Sequence, residues 1–239
     1  TGGAGFVGSN LIELLIKKTK YKIISLDDYS SGSKNNHIKS DRLKYIKGNT
    51  LKISKILSKY KKQIVCLFHF GEFARIYQSF KNFDKCFKSN SLGSQEVFKF
   101  CLDNNIKLIY SATSASLGRN GNDKNLSPYA FTKSKNLELL ENLRKWYNLK
   151  FEVIYFYNVY GPRQDPHGEA GVISIFTRKM IDGKNPTVVY GYGSYGLSMN
   201  VGFSTTRLAW LERGGVWAIA HVRGGGEYGQ EWHYAGRME

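Results

Sequence analysis

Apolar positions along this 239-residue chain alternate between two rhythms. The run Leu11, Ile12, Leu14, Leu15, Ile16 predicts a first helix over Val7–Lys18. Strand-like segments follow at Lys22–Leu26 (KIISL) and Arg42–Ile46 (RLKYI), on either side of a polar loop, Asp27–Ser40. Leu51, Ile53, Ile56, Leu57 and Tyr60 return to helical spacing, and Ile64–Phe68 (IVCLF) is a short all-apolar run of the kind buried in parallel sheets. A helix over Asp84–Asn104, a strand over Lys107–Ser111, a helix over Pro128–Tyr147 and a strand over Phe151–Tyr155 complete the series. Strands alternating with helices imply an α/β fold built on a doubly wound parallel sheet.

The pattern breaks near Asn185. No lysine occurs after Lys184, whereas three of the four tryptophans and eleven glycines fall in residues 185–239. We therefore divide the chain into domains 1–184 and 185–239. The net charge of +16 belongs to the first, which holds 31 Lys+Arg against 15 Asp+Glu; the second holds four of each. Of those 31 residues 25 are lysines scattered over helix faces, which reads as a solvated surface and argues against a nucleic-acid partner. Cys66, Cys86 and Cys101 show no C-x-x-C spacing and read as reduced thiols of a cytoplasmic protein. No run approaches the ~20 apolar residues of a membrane span, and no signal peptide is visible. A start at Thr1 without methionine reads as a fragment.

Candidate chemistry begins at the opening TGGAGFVGSN. Gly2, Gly5 and Gly8 give G-x-x-G-x-x-G directly before the first helix, a loop whose bare N–H groups suit a pyrophosphate at the positive end of a helix dipole. Asp27 ends the strand KIISL nineteen residues past Gly8, near the ~20 expected of an acid that holds a dinucleotide ribose. Tyr129 and Lys133 stand four apart on the predicted helix, hence on one face. An ammonium beside a phenol favours the phenolate, which makes Tyr129 a candidate general base. A plain helix surface explains Tyr129 and Lys133 better on their own, and the glycine loop and Asp27 reverse that balance. His37, His69 and His167 lack metal-ligand spacing, so no metal is expected; His69 reads as a satisfied core-edge histidine.

With those residues on the page, residues 1 to about 184 resemble the extended short-chain dehydrogenase/reductase family, within it the NAD-dependent UDP-sugar epimerases. The matching segments are TGGAGFVGSN, LDDYSSGSKNN, LFHFGEFARIYQSF, SATSASLG, SPYAFTKSK and YFYNVYGPRQ. The resemblance implies a Rossmann-type sheet, NAD as cofactor, a UDP-sugar substrate and 4-epimerisation by transient hydride transfer at C4, with a homodimer as a further possibility. It implies Tyr129 as base, Lys133 on the nicotinamide ribose, and Thr113 as the catalytic hydroxyl; Ser111 and Ser114 are neighbours of the same chemistry. By position it places Phe6, Val7, Asp28, Phe70, Gly71, Asn90, Ser111 and Tyr157 against the cofactor and Asn158 against the substrate phosphates. Phe70, Tyr157 and Val7 suit a plain core as well. Asn49 stands where the family has an acid near adenine. Ser114 and Ala115 replace the Asp-Glu pair of the related dehydratases, which favours epimerisation over elimination.

The resembled family has a strand ahead of its glycine loop, so the sheet is expected to lack its first strand, and the activity to be impaired. Residues 186–239 resemble prolyl oligopeptidase and oligopeptidase B through PTVVYGYGSYGLSM and FSTTRLAWLERGGVWAIAHVRGGGEYGQEWH. That implies a strand (Thr187–Tyr190), a helix (Phe203–Arg213) and a strand (Val216–His221) of an α/β-hydrolase domain. Tyr192 matches the peptidases' oxyanion-hole tyrosine. No G-x-S-x-G occurs, so peptidase activity is not expected, and the chain reads as a chimera. A non-catalytic NAD-binding module is the remaining alternative. Val216–Val222 is a candidate to fill the missing place in the sheet.

Overall fold

The computed structural model describes residues 1–114, 124–156, 159–165, 178, 181, 187–192 and 204–221. The chain falls into two units, Thr1–Gln164 and Asp165–Glu239, a division upstream of the break in composition. In the first, α1 (Phe6–Lys18) leads to β1 (Ile23–Asp27), which pairs in parallel with β2 (Leu43–Lys47). The segment expected to be helical around Leu51–Tyr60 keeps only a short helix, α2 (Ile53–Ile56), with Ile53 and Leu57 buried. Next come β3 (Cys66–His69), α3 (Ile76–Lys81) and α4 (Phe83–Phe87), then a π-helical turn at Lys88–Gly93 and α5 (Ser94–Asp103). The expected single helix Asp84–Asn104 is therefore interrupted by the π turn. β4 (Lys107–Thr113), α6 (Pro128–Tyr147) and β5 (Phe151–Phe156) complete the unit.

β3, β4 and β5 form a parallel sheet with β4 in the middle. As the central strand, β4 buries nearly every residue after Lys107, and α5 lays Val97, Phe98, Phe100 and Cys101 against it. Phe98 is wholly buried and meets Tyr110 edge-on at 5.5 Å. Helix α6 keeps the expected bounds because both ends are specified locally. The Ser127 hydroxyl accepts the Ala130 N–H (3.0 Å), Pro128 occupies the first turn, and Asn148 closes the helix in the left-handed region (φ 58°).

Between β1 and β3, the described residues place no strand. Thr1 and Gly2 bridge the space: the Thr1 nitrogen donates to the Phe68 carbonyl (2.7 Å), Phe70 N–H donates to the Thr1 carbonyl (3.2 Å), and Gly2 N–H donates to the Leu26 carbonyl (2.9 Å). The sheet is thus a Rossmann-type parallel sheet in two parts, as expected.

In the second unit, β6 (Thr187–Tyr192) and β7 (Val216–His221) pair in parallel across α7 (Thr205–Glu212). Ser204 caps α7, and the Trp210 indole N–H donates to the Val216 carbonyl (3.0 Å). The hydrogen-bonded neighbour of β7 is β6, which overturns the idea that Val216–Val222 completes the first sheet. A β-α-β crossover closes a short loop to a local partner, and that pairing takes precedence over a distant one. No helix among the described residues is long and apolar enough to cross a membrane.

Phe98→Ala is expected to lower unfolding free energy by about 3–5 kcal/mol, the cost of an aromatic-sized cavity, read from the urea midpoint at unchanged m-value.

Candidate active site

The glycine loop folds as it does because its glycines meet backbone. Gly2 has φ +76°, and a Cβ there would lie 2.7 Å from the Gly71 nitrogen; one on Gly8 would lie 2.2 Å from the Gly2 carbonyl oxygen. Gly5 caps α1 without a side-chain bond, and no acidic residue occupies the first turn, so the positive end of the helix carries no internal anion. A cleft lies beside it with about 510 Å³ of empty space, open side included, lined among others by Gly2, Gly5, Asp27, Asp28, Phe70 and Glu72.

Asp27 is buried, and both its oxygens accept backbone amides, Oδ2 from Ala4 (2.9 Å) and Oδ1 from Tyr29 (2.8 Å). It ties the glycine loop to the end of β1. Asp28 is exposed and accepts from Ser30 N–H (2.9 Å) and the Asn49 amide (3.1 Å). Asn49 therefore lines the same cleft wall, its Oδ1 engaged by Leu51 N–H (3.0 Å). Gly71 N–H donates to the Thr1 hydroxyl (3.1 Å), and the Phe70 ring stacks edge-on against Phe156 at 5.7 Å. Phe6 and Val7 are half-buried in the first turn of α1. Asn90 is turned inward: its Oδ1 accepts from Phe73 N–H (2.7 Å) and its Nδ2 donates to the Phe73 carbonyl (2.9 Å).

Lys133, on α6, is almost wholly buried and reaches Glu72, which lines the cleft. Its ammonium forms an ion pair with Glu72 and donates to the Ser111 carbonyl (2.5 Å) and hydroxyl (3.2 Å). Thr113, at the end of β4, is buried, and Tyr129 is half-buried with its N–H donating to the Ser79 hydroxyl (3.3 Å). Tyr157, Asn158 and the side chain of Tyr192 lie outside the described residues.

Sequence reasoning missed Glu72. Its Oε1 accepts from the Ser94 hydroxyl (2.8 Å) and the Tyr110 phenol (3.1 Å), while Oε2 faces Lys133. Burial pushes its carboxyl up, but the charge of Lys133 and the hydrogen bonds from Lys133 and Ser94 outweigh that, holding it below its ordinary value. Burial, then the nearby Glu72 charge, drives the Tyr110 phenol well up. The one signal in the sequence is an acid inside the aromatic, apolar stretch LFHFGEF. Arg163 was missed as well. Held at φ 67°, it donates to the Ser9 hydroxyl (3.1 Å), Asn10 Oδ1 (2.9 Å) and Glu13 (2.6 Å) on α1.

The cysteines form no disulfide, and burial pushes the Cys101 thiol up to about 12, which keeps it protonated. Among the described residues, no cluster of His, Cys, Asp or Glu is placed to hold a metal.

Comparison with known proteins agrees with this architecture. Residues 1–196 match the model of the NAD dependent epimerase/dehydratase family, and residues 201–239 that of the prolyl oligopeptidase family. A UDP-glucose 4-epimerase of Mycolicibacterium smegmatis is 30% identical over 209 residues, 81% of this chain and 66% of the relative. A prolyl endopeptidase of Elizabethkingia miricola is 51% identical over 58 residues, 24% of this chain and 8% of the relative. The chain thus spans just under two thirds of the epimerase relative's length. Among solved structures, Thermotoga maritima UDP-glucose 4-epimerase with UDP-glucose matches at 31% identity and TM-score 0.70, over 81% of this chain and 65% of that one. Thermus thermophilus UDP-glucose 4-epimerase in complex with NAD matches at 25% identity and TM-score 0.67, over 82% and 66%.

Acid should test this buried cluster. Burial, the largest influence on His69, brings its imidazole from 6.5 to about 4. The unfolded chain takes up that proton first, so the contribution is full above about pH 6.5 and is lost as pH falls toward about 4. Urea titrations across this window should show a loss of about 3 kcal/mol, flattened in His69→Gln.

Proposed function

The chain belongs to the NAD dependent epimerase/dehydratase family, and from that footing we propose that it is an NAD-dependent 4-epimerase of a UDP-hexose. The observation that carries the reading is a cleft lined both by the uncapped glycine loop and by Glu72, the carboxylate that pairs with buried Lys133 beside Ser111.

The residues present fit a dinucleotide. Bare first-turn amides and a positive helix end suit its phosphates, with Gly5 leaving the approach open. Phe6 and Val7 would border the pyrophosphate, and Asp27, Asp28 and Asn49 would face the adenosine. Phe70, Gly71, Asn90, Ser111 and Tyr157 would form the remaining wall, with Asn90 acting through the Phe73 backbone that it clamps. When bound, NAD supplies a reversible hydride acceptor for C4 of the sugar.

Tyr129 would take the proton of the C4 hydroxyl and return it after the 4-keto sugar has turned over. Thr113 would hold the same oxygen through its hydroxyl, and Lys133 would favour the phenolate and bond the nicotinamide ribose. Asn158 would hold the substrate phosphates. Ser114 and Ala115 offer no carboxylate for elimination, which supports epimerisation. Residues 1–184 would form the cofactor domain, and the peptidase-like residues 185–239, with Tyr192, take no part in this chemistry.

The test uses the full chain with NAD and UDP-glucose, following reduced-nicotinamide fluorescence and formation of UDP-galactose. Tyr129→Phe is expected to lower turnover by about 10²- to 10⁴-fold, the usual worth of a general base, with NAD affinity unchanged. A folded protein that binds NAD yet gives neither signal, or a Tyr129→Phe variant that turns over normally, would overturn the proposal.

A further inference from the structure

We propose that Glu72 is a positioning residue: it terminates a one-way buried hydrogen-bond chain and uses the fixed carboxylate to set where the Lys133 ammonium points. This rests on the role given above to Lys133.

The direction of the chain follows from its carboxylate end. Gly71 N–H donates to the Thr1 hydroxyl (3.1 Å), whose own proton remains available to His69 Nδ1 (2.7 Å). At the other end, the Glu72 carboxylate can only accept, so Ser94 donates to it (2.8 Å) and its oxygen must accept from His69 Nε2–H (3.0 Å). The Glu72 end thus fixes the tautomer with the proton on Nε2, and the Thr1 end fits it, its hydroxyl donating to the bare Nδ1. A neutral His69, brought down to about 4 by burial, fits that arrangement.

Every element packed around Glu72 adds to its fixation. From β4, Tyr110 donates to it, and the Ser111 hydroxyl lies 3.4 Å away; from α6, Lys133 and the Asn136 amide (3.3 Å) face it. Its backbone is held as well, since Asn90 clamps Phe73 from both sides. Asn90 lies in the π turn, and its carbonyl accepts from Asn136 (2.7 Å).

The three ammonium protons then have defined acceptors: Glu72, the Ser111 carbonyl and the Ser111 hydroxyl. The last is the longest, at 3.2 Å.

Glu72→Gln keeps the shape and one acceptor but removes the charge. In the full chain, competitive acetylation read by mass spectrometry should show Lys133 reactivity rising about tenfold once its ion pair is lost. The buried Cys101 thiol, probed with a maleimide, reports the fold in the same sample. Lys133 as protected in folded Glu72→Gln as in wild type would overturn the proposal. If Cys101 also opens, Ser94→Ala, which removes a single donor to Glu72, takes its place. A rise of about threefold is then expected, and no rise overturns the proposal.

Turnover separates this role from the reaction itself. Misplaced Lys133 should lower kcat by about tenfold to a hundredfold at nearly constant KM, with Glu72→Asp recovering part of the loss. If Lys133→Met and Tyr129→Phe abolish turnover while Glu72→Gln leaves kcat intact, Glu72 has no positioning role and the epimerase reading stands. If those two variants turn over normally while labelling of Lys133 still rises in Glu72→Gln, the epimerase reading fails and the structural role of Glu72 remains.

Discussion

The contact between Gly2 and the Phe70–Gly71 backbone is the constraint on which the first unit depends. Main chain meets main chain there with no room for a Cβ, at 2.7 Å from the Gly71 nitrogen. The same two residues, Thr1 and Gly2, hydrogen-bond to β1 on one side and to β3 on the other. One glycine with positive φ thereby sets the glycine loop, joins the two parts of the sheet and places the loop that carries Glu72. Small shifts here would be felt in the cleft, because packed backbone deforms little.

From that junction a polar cluster runs under the cleft. Buried charges destabilise unless paired and fully hydrogen-bonded, and breaking one partner of a buried pair is costly. Glu72 and Lys133 meet the condition through Ser94, Tyr110, Ser111 and Asn136, drawn from α5, β4 and α6. The apolar core and the polar cluster therefore share the same elements. Tyr110 shows this best: its ring packs on Phe98 while its hydroxyl bonds Glu72.

What the sequence disclosed follows from which interactions are local. Helix α6 was legible to the residue because Ser127, Pro128 and Asn148 specify both ends within a turn. The glycine loop and Asp27 were legible because their spacing is itself the signal, although Asp27 proves to bond the loop backbone with both oxygens. Helix α3 was not, since Ile76, Tyr77 and Phe80 point outward and give no amphipathic pattern. The π turn has no periodic signature of its own. Glu72 was illegible because its partner lies 61 residues further along, and nothing near either residue announces the other. The strand-helix-strand order of the second unit was legible through the peptidase resemblance, whose segments coincide with β6, α7 and β7.

The clamp of Arg163 on Ser9, Asn10 and Glu13 joins positions about 150 residues apart in the sequence. During synthesis, helix α1 emerges well before β5 and receives this partner only after β5 has left the ribosome. Until then its N-terminal turn has fewer tertiary bonds to hold it, and long-range closure of this kind slows folding. Helix α1 is thus among the last parts of the first unit to be secured, and a nascent chain stalled before residue 163 would carry it undocked at that face.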